Sequence, residues 1–258
     1  MPWTDPPPLQ QAPSSSPKAP AASPSPKAPT SPKFAPPSQA TWPSWSRKPA
    51  SPPTDPITDG FADCPDSFHA QHTLTQRVAD YEAALEYLDA PRPLILFGGS
   101  EGGLVVAKLA ARTTPDAAII LSSATGIPFS EVVLSSVPPE GQDQVKAGLA
   151  AAAADPEGVS IFAGSSHRFW ADILQHIAAD DMLASDSPFL IIQGGLDTSS
   201  PIAAARLTAD RFAAEGRCNL TYWELPVLDH AMVDPAGASH MDEVAEAAAN
   251  WSAKPLKC

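Results

Sequence analysis

Three short stretches of this chain hold residue types that can act together: Ser100 in "LFGGSEGG", Asp197 in "LIIQGGLDTSSP" and His230 in "LPVLDH". A serine hydroxyl at its ordinary pKa attacks a carbonyl poorly. It becomes a useful nucleophile when an imidazole takes its proton and a carboxylate fixes the imidazole tautomer. Gly98-Gly99-Ser100-Glu101-Gly102 fits G-x-S-x-G, in which the serine occupies a strained turn between a strand and a helix. The glycines at Gly98, Gly99 and Gly102 are expected there because side chains would strike the neighbouring strand and helix.

The chemistry then assigns itself by position. Ser100 is the expected nucleophile, His230 the general base and Asp197 the orienting acid, with the backbone N–H of Glu101 as an oxyanion donor. Each of these residues also has a plainer reading. Asp197 can cap the helix that begins near Pro201, although Ser199 or Ser200 can serve there equally. The Glu101 side chain is expected in a salt bridge or near the helix N-terminus and is given no catalytic role. Asp229 is expected to be solvated or turn-forming. Of the six histidines only His230 directly follows a strand pattern; His69, His72, His167, His176 and His240 are expected at the surface or at helix ends.

Elements with the right order must position these groups. "TLTQRVADYEAALEYLDA" spaces Leu74, Val78, Tyr81, Leu85 and Leu88 as one face of a helix, with Thr73 or Thr75 as cap and Pro91 beyond its end. "LILF" then reads as a strand buried on both faces, followed by a helix through "LVVAKLAAR". "DAAIILSSA", "PFLIIQGG" and "LTYWELP" are further strands. "AAARLTADRFAAEG" is a helix ended by Gly216, and "SHMDEVAEAAANWSA" a closing helix. Alternation of this kind predicts an α/β fold, a mostly parallel sheet flanked by helices. Reactive groups then gather at the carboxyl ends of the strands. Residues 126–186, between the second and third strands, exceed a simple crossover and predict a helical cap, in which Phe162, Phe169 and Trp170 either pack the cap or line an acyl pocket.

These motifs resemble the nucleophile, acid and histidine segments of the α/β-hydrolase superfamily, in particular its prolyl-oligopeptidase-like and dienelactone-hydrolase-like branches. The resemblance covers roughly residues 70–252. It implies an α/β-hydrolase fold and a serine hydrolase that cleaves an ester, thioester or small peptide bond through an acyl-enzyme, without metal or organic cofactor. It also marks a departure: members of the superfamily carry about three strands before the helix that leads to the nucleophile strand, and a loop there gives a second oxyanion amide. Here a proline-rich segment occupies that place and no "HG" or "GGG" stretch precedes Ser100. Either the segment 1–62 folds, or a partner covers the gap, or the domain is incomplete with an exposed sheet edge, which is the preferred expectation. The rival reading is a non-catalytic binding protein on such a scaffold, with the proline-rich arm as ligand for a partner.

Composition bounds the remaining classes. The chain has 258 residues, of which 43% are hydrophobic, enough for a substantial core. About 18 of its 31 prolines fall in the first 62 residues, so 1–62 is expected to be disordered and 63–258 to form the folded domain. A formal net charge of −13 repels phosphate backbones and argues against nucleic-acid binding. "GGSEGG" does not give the spacing of a dinucleotide fingerprint, and no P-loop lysine follows. Cys64, Cys218 and Cys258 make no C-x-x-C pair; Cys64 and Cys218 can pair in an oxidising compartment, but unpaired thiols are the preferred expectation. "MPWTDPPPLQ" is unlike a signal peptide and no membrane-spanning apolar run follows, which predicts a soluble, cytoplasmic protein acting on a small molecule or short peptide. The sequence is silent on oligomeric state.

Overall fold

The computed structural model describes residues 64–90 and 92–256. The expected disordered arm at 1–62, with Pro91 and Cys258, lies outside them. In chain order the elements are α1 (Asp66–His69), α2 (Leu74–Tyr87), β1 (Ile95–Gly99), α3 (Glu101–Thr113), β2 (Ala117–Leu121), α4 (Phe129–Ser135), α5 (Gln142–Ala153), β3 (Ile161–Phe162), β4 (Ser165–Ser166), α6 (His167–Ile173), α7 (Ala178–Leu183), β5 (Phe189–Gly194), α8 (Ile202–Ala214), β6 (Leu220–Leu225) and α9 (Met241–Ser252).

Four strands form one parallel sheet in the order β1-β2-β5-β6. In register, Gly99 pairs with Leu121, Leu121 with Ile192, and Gly194 with Leu225. The turns that carry Ser100, Asp197 and His230 therefore leave the same rim of the sheet. β2 and β5 are buried along their whole length because apolar layers cover both faces. One layer joins α2, α3, α6 and α7 through residues such as Leu74, Leu104, Leu109, Ile173 and Met182. The other packs Val244 and Ala248 of α9 on Ile119, Leu121, Leu190 and Ile192.

β1 departs from the expectation of burial on both faces. Its residues alternate: Leu96 and Gly98 are covered by α3, whereas Ile95 and Phe97 are 39% and 52% exposed. The reason is topological, because α9 reaches β2, β5 and β6, and among the described residues β1 pairs only with β2. The same opening explains α2, capped as expected by Thr73, whose hydroxyl accepts from the Gln76 N–H at 2.9 Å. Its Leu74 and Val78 are buried, but Tyr81 and Leu88, on the expected apolar stripe, remain largely exposed.

Residues 126–186 build the cap from α4 to α7 and the small antiparallel β3–β4 pair. Phe169 and Trp170 are buried within it, and the Trp170 indole donates to the Phe162 carbonyl at 2.7 Å. Cap packing rather than an acyl pocket thus accounts for these aromatic side chains. Cys218, just before β6, is disulfide-bonded, contrary to the expectation of unpaired thiols. Pairing follows spatial approach, which sequence spacing does not report. On the outer strand, hydrogen bonds from Arg206 and then Tyr222 hold the Glu224 carboxyl down at about 2. No helix among the described residues is long and apolar enough to cross a membrane.

Candidate active site

Ser100 sits between β1 and α3 with φ 52° and ψ −125°, a left-handed conformation that L-residues rarely adopt. Its N–H donates to the Leu121 carbonyl at 2.8 Å, and its carbonyl accepts from the Ser123 hydroxyl at 2.5 Å. The turn is thus clamped to the end of β2. At Gly98 a Cβ would lie 2.3 Å from the Gly102 carbonyl oxygen, so only glycine fits. Two expected steric reasons fail. A Cβ at Gly99 would make ordinary contact with Leu121, and one at Gly102 would meet nothing within 4 Å. The second crowded position is Gly103, where a Cβ would fall 2.0 Å from the Ser123 hydroxyl. Helix geometry turns Gly102 outward and Gly103 onto β2, a phase the five-residue motif does not state.

Asp197 follows β5 and its side chain is fully buried. Oδ1 accepts the N–H groups of Ser199 and Ser200, both at 2.8 Å. Oδ2 accepts from Gln193 Nε2 and from His230 Nδ1, both at 2.9 Å. Pro201, not Asp197, is the cap of α8, and the Ser200 hydroxyl donates to the Ser122 carbonyl at 2.9 Å. The carboxylate therefore does two things: it ties its own loop and it holds an imidazole. His230 follows β6 with its side chain 31% exposed. Asp229 is turn-forming, accepting from the Ala231 and Val233 N–H groups.

Asp197 and His230 are brought together directly. Ser100 leaves the same rim and lines a cavity with Ser199 and Ser200, the two residues whose N–H groups Asp197 accepts; among the described residues no hydrogen bond links its hydroxyl to His230. Glu101, the first residue of α3, contributes a backbone N–H that has no acceptor inside the helix. Its carboxylate pairs with Arg77 and lies 3.5 Å from His72 Nε2. Along the open side of β1 runs a cavity of about 690 Å³, lined by Tyr81, Phe97, Ser100 and Glu101 among others.

Two of the other histidines lie beside helix ends, as one of the two readings had it, but are buried rather than at the surface. His69 and His72 are 3% and 2% exposed, because α1 tucks under the cap and His72 stacks between Phe68 and Phe169. His167 bonds Asp155 and His176 bonds Asp181. His240 lies between Asp234 and Glu243, and the hydrogen bond it donates to the Asp234 carboxylate raises its pKa. Sequence reasoning missed Gln193 and Ser123. For Gln193 a signal existed: one amide inside an apolar strand must find a buried partner. Among the described residues no cluster of His, Cys, Asp or Glu is arranged to hold a metal ion.

A parallel sheet flanked by helices, with the turns after β1, β5 and β6 on one rim, is the α/β-hydrolase fold, and similar solved structures agree. No family model matches the chain, and no curated protein matches it. The chain is similar in structure to the metagenome-derived lipolytic enzymes LipS and LipT (TM-score 0.52, 17% identity, 76% of this chain and 80% of that one). It is also similar to ferulic-acid-bound Est1E from Butyrivibrio proteoclasticus (TM-score 0.51, 20% identity, 73% and 70%). A third similar structure is a monoacylglycerol lipase from Paleococcus ferrophilus (TM-score 0.50, 18% identity, 71% and 76%).

Proposed function

We propose that the protein is a serine hydrolase that cleaves an ester, thioester or small amide bond through an acyl-enzyme. The observation that carries this reading is the buried Asp197 carboxylate, all of whose lone pairs are directed, holding His230 Nδ1 on the rim where Ser100 occupies a strained elbow. Nδ1–H donates to Asp197, which leaves Nε2 as the basic nitrogen. His230 Nε2 takes the Ser100 proton as Oγ attacks the substrate carbonyl. Charge collects on the former carbonyl oxygen, toward which the Glu101 N–H and the N-terminal end of α3 contribute. Collapse expels the leaving group, which receives the proton from His230, and leaves the acyl group on Ser100. Water then attacks the acyl carbon as Nε2 takes its proton, and collapse releases the acid while Nε2–H returns that proton to Ser100 Oγ.

The similar structures named as esterase or lipase agree with this chemistry at the level of fold. The open side of β1 favours the second reading, a non-catalytic scaffold, because a second oxyanion amide has no assigned source among the described residues. Losing one such donor costs about 10²- to 10³-fold in kcat, so activity under the first reading is slow rather than absent. Labelling with a fluorophosphonate separates the two. The hydrolase reading expects adduct on native protein that disappears in Ser100→Ala; folded protein that never labels leaves the scaffold reading.

A further inference from the structure

A second cavity touches Ser100 from the side opposite the β1 edge. It measures about 270 Å³ and lies between α3 and the first cap helix α4. Its floor is Leu104, its far wall Phe129, Val132 and Val133, and its near wall Ser199 and Ser200. Apart from Glu101, whose carboxylate is engaged by Arg77, no charged residue lines it. A charged acyl group would enter without a counter-ion, whereas a neutral hydrocarbon gains from burial.

Its size limits the guest. At about 30 Å³ for each water-sized group, 270 Å³ holds roughly nine such groups, a carbonyl and a chain of up to about eight carbons. Val132 is buried against Ala124 and Ala204, so that wall is fixed. Val133 is only half-buried, and it can be changed with less cost to the fold.

Building on the hydrolase reading, we propose that this cavity is the acyl site. The enzyme prefers esters of neutral acyl groups of about four to eight carbons, with Val133 setting the upper length. The test is kcat/KM on p-nitrophenyl acetate, butyrate, octanoate and palmitate, beside an alkyl acetate series of the same lengths. Wild type should peak at butyrate or octanoate and turn over palmitate at least 10-fold more slowly. Val133→Phe should lower the octanoate-to-acetate ratio about 10-fold, and Val133→Ala should raise it; the opposite directions guard against a variant that merely folds poorly.

A palmitate optimum, an acyl profile that neither variant moves, or a length response confined to the alcohol series overturns the acyl assignment. In each of those cases fluorophosphonate labelling of Ser100 persists and the hydrolase reading stands. Wild type that neither labels nor hydrolyses any ester overturns both.

Discussion

Asp197→Asn changes one atom and tests whether the carboxylate acts by fixing a tautomer. Oδ1 of Asp197 receives two backbone N–H groups, so an asparagine there must keep its oxygen at that position. Its NH₂ then occupies the Oδ2 position, facing His230 Nδ1 and Gln193 Nε2, each 2.9 Å from that oxygen. His230 is forced to accept at Nδ1 and to carry its proton on Nε2, where it cannot act as base. The expected loss in kcat is about 10⁴-fold, or about 5.5 kcal/mol of transition-state stabilisation. Stability should fall far less, by about 1–3 kcal/mol, since the buried Gln193 amide loses its acceptor. Ester turnover supplies the first number, urea unfolding the second, and ¹⁵N–¹H correlation of the imidazole reports the tautomer. Retention of activity within 10-fold, or an unchanged tautomer, would refute the reasoning.

Other outcomes follow from the geometry around the elbow and the histidine loop. Gly98→Ala and Gly103→Ala should each lose about 1–3 kcal/mol, because their Cβ atoms fall 2.3 Å from the Gly102 carbonyl oxygen and 2.0 Å from the Ser123 hydroxyl. Gly102→Ala, with nothing within 4 Å, should gain up to about 1 kcal/mol from helix propensity; melting temperatures distinguish the three. His240 should titrate above the ordinary histidine value and move back toward it in Asp234→Asn, as followed by NMR. A raised value means that this bond's contribution to stability is complete below the unfolded histidine pKa and fades as pH rises through the folded one.

Most of what a strand and its following turn dictate was readable in the chain. Each candidate residue follows a segment with the pattern of a strand, and a parallel sheet sends such turns to one rim. Burial on β1 was not readable, because "LILF" looks like β2 and β5 and only the covering layer differs. The same limit misplaced Tyr81 and Leu88. The burial of His69 and His72 is not legible, because a short segment at two helix ends carries no sign that Phe68 and Phe169 will enclose it. The motif also names Gly102 where the packed helix needs Gly103, since a consensus pattern records positions without the helical phase that gives them neighbours.

Among the described residues the outer edge of β1 has no partner strand, which has a colloidal consequence. Ile95 and Phe97 line a strip onto which another extended strand can hydrogen-bond, while a formal charge of −13 keeps copies apart in dilute buffer. Salt shortens the reach of that repulsion from about 10 Å at 0.1 M to about 3 Å at 1 M. Light scattering should therefore show particles growing as sodium chloride is added, and Phe97→Lys should suppress the growth.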